Sequence, residues 1–65
     1  MLIEIYKRTA TSSDAFTKVD TFANVYAYDM HDRYMYMQFE SSGTESAYFF
    51  RFAEQVEYRV HVTRT

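Results

Sequence analysis

The sequence predicts a mostly β fold in which five antiparallel strands form a small barrel or a strongly bent sheet. Apolar residues recur at every second position over long stretches, which is the spacing of half-buried strands. Short polar segments separate these stretches, as turns separate the strands of a meander. The single glycine, Gly43, lies in one such segment, where a tight hairpin needs a residue that tolerates positive φ.

The segment from Phe22 to Phe52 predicts a meander of three strands. Placing Asp29 opposite Arg33 gives a three-residue first loop over residues 30–32. Because side chains alternate between the faces of a strand, this register sorts apolar from polar residues. The face predicted to form the core carries Ala23, Val25, Ala27, Met35, Met37, Phe39, Tyr48, Phe50 and Phe52.

The opposite face of the meander is predicted to be rich in tyrosine. The second loop is predicted as Gly43-Thr44, with Gly43 first in a type II′ turn, and it keeps the same two faces together. The side chains on this second face are Asn24, Tyr26, Tyr28, Tyr34, Tyr36, Gln38, Phe49 and Arg51.

The segments outside the meander supply two more strands. Residues 1–8 and 56–63 alternate between apolar and polar side chains, and Ala53–Gln55 is predicted as a 3₁₀ turn. Residues 14–21 leave two interpretations open: Phe16 and Val19 recur at helical spacing, whereas the β-branched Thr17 and Thr21 favour an extended segment. One short helix near residues 14–21 is therefore an alternative to extended chain.

Five strands with tight turns resemble, in architecture alone, a small SH3-like barrel. The alternative is an open antiparallel sheet covered by a short helix or by a second copy of the chain. The sequence contains no proline that could protect an edge strand, so an unclosed sheet would invite edge pairing.

Composition narrows the class of protein. At 65 residues the chain has room for one small β domain, residues 1–65, and its lack of cysteine excludes disulfides and thiolate metal sites. The net charge of −2 argues against a nucleic-acid binder, which usually carries a basic stripe. With no apolar run long enough for a membrane span, we expect a cytoplasmic protein without membrane association.

Catalytic and metal sites are not predicted. Asp29, His31, Asp32 and Arg33 crowd one turn, but a short loop offers no pocket for a substrate, so we interpret them as a solvated turn. His61 alternates with valines and is interpreted as a surface histidine. We therefore expect no enzyme, no cofactor and no bound metal.

The tyrosine-rich face is the predicted functional surface, although burial of both faces of the meander is an open alternative. Tyrosine and arginine dominate binding hot spots, so the face predicts a protein-binding module that occupies a surface of a larger protein. By analogy of size and type alone, such a module could be an inhibitor or adaptor, including a phage-encoded anti-defence protein. The alternative is a single-strand nucleic-acid binder that stacks bases on tyrosine.

We also expect self-association as a homodimer, because seven tyrosines and six phenylalanines exceed what one small core can enclose. The predicted partner-binding residues are Tyr26, Tyr28, Tyr34, Tyr36, Phe49 and Arg51.

Overall fold

The computed structural model describes residues 1–11 and 13–64, in which six β-strands form two antiparallel sheets of three strands each. The first sheet has the strand order β2-β1-β6 and the second has the order β3-β4-β5. The strands are β1 (Leu2–Thr9), β2 (Thr17–Phe22), β3 (Val25–Met30), β4 (Tyr34–Ser41), β5 (Thr44–Arg51) and β6 (Val56–Thr63). The Cα positions span 42 × 21 × 14 Å, and the shortest dimension suits two sheets stacked about 10 Å apart.

The predicted five-stranded barrel is wrong: the described part of the chain has six strands, and they form two separate sheets. The additional strand is β2, which forms in the segment for which the sequence allows either a short helix or an extended chain. The helix is wrong as well, since β-branched Thr17, Val19 and Thr21 fit a strand that pairs with β1.

The chain passes between the sheets at two sharp corners instead of bending one continuous sheet. Asn24 (φ 61°) lies between β2 and β3, and Gln55 (φ 61°) lies between β5 and β6. A barrel of strongly curved strands needs glycines or bulges at many positions, and this sequence has one glycine. Left-handed corners supply the reversal of direction, so Ala53–Gln55 forms a turn with positive φ at its end in place of the predicted 3₁₀ turn.

The core lies between the two sheets and is built mainly by their central strands. Ile3 and Ile5 of β1 and Met35 and Met37 of β4 are fully buried, and Val25 of β3 is 1% exposed. Central strands are shielded on both sides by neighbours, so their inward residues lose all contact with water. Partly buried side chains surround this cluster: Met1, Phe22, Tyr28, Phe39, Phe50, Phe52, Tyr58, Val60 and Val62.

The register of β3 on β4 differs from the prediction. Met30 is opposite Met35 and Tyr28 is opposite Met37, while the His31 amide donates to the Tyr34 carbonyl oxygen at 2.9 Å. The observed register differs from the predicted one by three residues, which is an odd number. In most of β3, the residues predicted to face inward therefore face outward, and those predicted to face outward face inward. Tyr28 thereby packs against the core in place of Ala27, and a tyrosine ring buries much more apolar area than a methyl group.

A bulge at the start of β3 returns Val25 to the predicted inner face. The register shifts between Val25 and Ala27, with Val25 opposite Phe39, so the intervening Tyr26 lies outside the regular alternation. The burial of Val25, Met35 and Met37 is thus confirmed, although the pairing that predicted it is wrong.

The β4–β5 hairpin closes through Ser42 and Gly43. Ser41 is opposite Thr44, and both loop residues have positive φ, 53° for Ser42 and 78° for Gly43. These angles define a type I′ turn, whose twist matches that of the paired strands. Positive φ at Gly43 is confirmed, while the type II′ turn over Gly43-Thr44 is wrong. The register moves by two residues, an even number, so the predicted faces of β4 and β5 stay together.

Truncating Ile5 should test the two-sheet core. Ile5→Ala is expected to lower the free energy of unfolding by about 2–5 kcal/mol, because it removes buried methyl groups from a site enclosed by both sheets. Val19→Ala is the matched control, since Val19 is 41% exposed on edge strand β2, and should change stability by less than about 0.5 kcal/mol. Urea unfolding measures both. Equal effects would contradict the assignment of the core.

Substitutions at Gly43 should separate backbone strain from steric contact. A Cβ placed on Gly43 would meet nothing within 4 Å, so only its φ of 78° opposes a side chain. Gly43→Val should therefore cost about 1–2 kcal/mol, whereas Gly43→Asn should cost clearly less, because asparagine tolerates left-handed backbone. Thermal unfolding of the two variants provides the comparison. If valine and asparagine were equally harmless, the loop would have to adopt a different turn.

Candidate functional site: an aromatic sheet face

The outer face of the second sheet carries a cluster of three aromatic rings, here called the aromatic face: Tyr34 and Tyr36 of β4 and Phe49 of β5. Phe49 is opposite Tyr36 across the strand pair, and their ring centroids are 4.7 Å apart. The Phe49 ring also meets Tyr34 edge-on at 5.4 Å. Met35 and Met37 point inward from β4, so alternation directs Tyr34 and Tyr36 away from the core.

Phe49 is the most exposed ring of this cluster. Its side chain touches both tyrosines and is nevertheless 54% exposed. Tyr34 and Tyr36 are half-buried by their neighbours on the same face. Ring contacts hold these side chains in place before any partner arrives, which lowers the entropy lost on binding.

The two ends of the aromatic face differ in charge. At the end near the β3–β4 turn, the His31 ring stacks on Tyr34 at 4.5 Å with an interplanar angle of 20°, and exposed Arg51 is opposite Tyr34. At the end near the β4–β5 turn, Glu40 and Glu45 are opposite each other. Arg51 therefore lies at one end of these strands and the two glutamates at the other, with the carboxylate of Asp29 beside Tyr36 between them.

Tyr26 lies beside the acidic end and is 47% exposed on the β3 bulge. Partial desolvation and the carboxylates of Glu45 and Glu40 raise the pKa of Tyr26 from its usual value, because negative neighbours oppose formation of a phenolate. Tyr26 therefore presents a neutral hydroxyl at physiological pH.

The predicted partner-binding residues do not all share one face. Tyr34, Tyr36, Phe49 and Arg51 lie together on the outer face, and Tyr26 borders it at the bulge. Tyr28 faces inward and packs against the core, because the β3 register differs from the predicted one. The functional role of the outward residues stays a prediction.

Sequence reasoning missed the part that His31 plays in this surface. The three-residue loop placed His31 at the tip of a solvated turn. In the structure the turn is Asp32-Arg33, which sets His31 opposite Tyr34 and lets the two rings stack. Asp29 is opposite Tyr36 and not Arg33, so the predicted placement of Asp29 opposite Arg33 is wrong. Within residues 1–11 and 13–64, no three metal-ligating side chains cluster.

Comparison with protein-family models, with curated proteins and with solved structures finds no match to this chain. Among the residues that the structure describes, no helix is long and apolar enough to cross a membrane.

Proposed function

We propose that this chain is a non-enzymatic protein-binding module whose aromatic face covers a surface of a larger protein. The observation that carries the proposal is the position of Phe49, which is exposed over half its surface at the centre of an ordered aromatic cluster. Rigid aromatic groups at the centre of a surface are the usual source of binding energy between proteins. An exposed apolar cluster of this kind has a cost in water that a partner would remove.

Charge around the aromatic face favours a protein partner over a nucleic acid. Three acidic side chains, those of Asp29, Glu40 and Glu45, lie on the outer side of the second sheet. Arg51 lies on the same side, at the end near the β3–β4 turn. Carboxylates beside the rings would repel phosphates, whereas single-strand binders surround their stacking platforms with cations. The expected partner surface is apolar with basic residues at its margin, since complementary charge speeds association and fixes orientation.

Such a module could act as an inhibitor or an adaptor, because covering a partner's surface requires shape and no catalytic group. A phage anti-defence role is one instance of this mode, supported by analogy of size alone. The cytoplasmic location predicted from the sequence stays a prediction.

Phe49→Ala and Tyr48→Ala form a matched pair for testing the proposal. The two rings are neighbours on β5, are 54% and 49% exposed, and point to opposite sides of the sheet. A protein captured from the source cell by the native chain should lose affinity at least tenfold with Phe49→Ala and keep it with Tyr48→Ala. Thermal unfolding should show that Phe49→Ala stays folded, with a loss below about 1.5 kcal/mol, the scale of an aromatic pair.

Equal capture by the native chain and by Phe49→Ala would contradict the proposal. A titration with single-stranded oligonucleotide in low and high salt addresses the alternative. Tight binding that Phe49→Ala abolishes and that weakens steeply with salt would replace the protein partner by a nucleic acid.

When no partner is present, we expect a second copy to cover the aromatic face. A two-fold axis that lies parallel to the face and perpendicular to its strands would bring Glu45 of one copy near Arg51 of the other, because these charges lie at opposite ends of β5. Sedimentation at micromolar concentration should then show a dimer, and Tyr36→Glu should dissociate it by placing a charge among the rings. A native chain that sediments as a monomer would exclude this homodimer and leave the face free for a different protein.

A further inference from the structure

The outer face of the first sheet, on the opposite side of the molecule, contains a second feature: a cleft of about 560 Å³. Tyr6 and Arg8 of β1 and Arg59 and His61 of β6 form its floor, because these residues alternate with the buried residues of the same strands. Phe16, in the connection between β1 and β2, forms part of the wall.

Two guanidinium groups converge on one ring in this cleft. The Cζ atoms of Arg8 and Arg59 lie 4.6 and 4.2 Å from the centroid of Phe16. Contact with the ring holds each guanidinium plane and removes water from one side of it, while the N–H groups stay at its edge. A nearby anion offsets the repulsion between these two like charges, and the Glu57 carboxylate supplies one at Arg8, at 3.3 Å.

The donors of these arginines are not all used within the described residues. Arg8 donates to the backbone oxygen of Asp14 at 3.2 Å and to a carboxylate oxygen of Glu57 at 3.3 Å, but its buried Nε has no acceptor there. A buried donor without an acceptor is costly, but this Nε has almost no exposed surface, so a ligand in the cleft would reach it only if the Arg8 side chain moved. Arg59 makes no ion pair with any described residue, whereas Lys18 on the same side of the sheet pairs with Glu4 at 3.3 Å.

The described residues that line the cleft include more cationic than acidic side chains, although the whole chain has a net charge of −2. Among the described lining residues, Arg8 and Arg59 face one carboxylate, that of Asp14, while Glu57 outside the cleft pairs with Arg8. The His61 ring packs against Tyr6 at 4.8 Å. In the strand register His61 is also opposite Glu4, whose carboxylate pairs with Lys18.

We propose that this cleft binds the phosphate group of a small phosphorylated molecule. Guanidinium forks match the geometry of phosphate oxygens and bind them in pairs, and two forks with an imidazole supply more donors than a carboxylate can accept. The volume of the cleft falls in the range of small-molecule sites, and the Tyr6 ring in its floor and the Phe16 ring in its wall give it apolar surface. The site is independent of the aromatic face, which lies on the other sheet.

Titration of the intact chain with phenyl phosphate, inorganic phosphate and acetate, each at the same ionic strength, tests the proposal by NMR chemical shifts. Both phosphates should shift the signals of residues around Phe16 and saturate, while acetate should bind at least tenfold more weakly. Arg59→Gln should weaken phosphate binding at least tenfold. Asp14→Asn should strengthen it several-fold, because it removes the one carboxylate that lines the cleft.

Arg33→Gln is the matched control, since it removes the same charge from the exposed β3–β4 turn and should leave phosphate binding unchanged. Equal losses with Arg59→Gln and Arg33→Gln would show a general effect of charge and overturn the site. Acetate binding as tight as phosphate binding, no saturable shift in the native chain, or no gain with Asp14→Asn would overturn it as well.

Discussion

Contact between the isoleucines of β1 and the methionines of β4 holds the two sheets together, and the rest of the structure depends on it. Ile3, Ile5, Met35 and Met37 have no exposed surface, and with Val25 they complete the fully buried set among the described residues. The isoleucines and methionines come from central strands, where two neighbouring strands and the facing sheet exclude water together, whereas Val25 comes from edge strand β3. Flexible methionines opposite stiff, β-branched isoleucines can fill the irregular space between two twisted sheets.

Backbone contacts then fix how the sheets are joined. The amino group of Met1 donates to the Val25 carbonyl oxygen at 2.6 Å, and the Val25 amide donates back to Met1 at 3.2 Å. This pair ties the start of the first sheet to the start of the second. At another corner the Ala53 amide donates to the Tyr58 hydroxyl at 3.0 Å, so a side chain of β6 anchors the turn that follows β5. Both contacts support the core without enlarging it.

Many of the aromatic rings surround this small core. Their positions explain why other aromatic rings lie on the surface of the molecule. Phe22 packs against Tyr48 at 5.6 Å, and Phe52 packs against Tyr58 at 5.0 Å, so these rings cover open sides of the core. Tyr34, Tyr36 and Phe49 lie on the other side of β4 and β5, where no second layer of described residues covers them. An exposed cluster of aromatic residues therefore follows from a sheet with one covered face and one uncovered face.

Local alternation was enough to predict β1, β6 and the two faces of β4 and β5, because the hairpin register was displaced by an even number of residues. The same reasoning failed for β3, where an odd displacement turned Tyr28 inward. The prediction of a closed barrel was wrong for another reason. Whether the two edge strands of a sheet pair depends on contacts between strands that are distant in sequence, and the periodicity within one strand does not encode those contacts. The phosphate cleft was missed because Arg8, Phe16 and Arg59 are far apart in sequence, although pairing β1 with β6 would have placed Tyr6 opposite Arg59.

The packing of β1 against β4 can be observed directly with methyl-labelled protein. Nuclear Overhauser effects between the methyl groups of Ile3 and Ile5 and those of Met35 and Met37 should be strong, since these side chains form one buried cluster. The Tyr28 ring should show contacts to the same cluster, whereas Tyr36 and Phe49 should show none. Contacts from Tyr36 or Phe49 to the isoleucine methyl groups, with none from the methionines, would contradict the account.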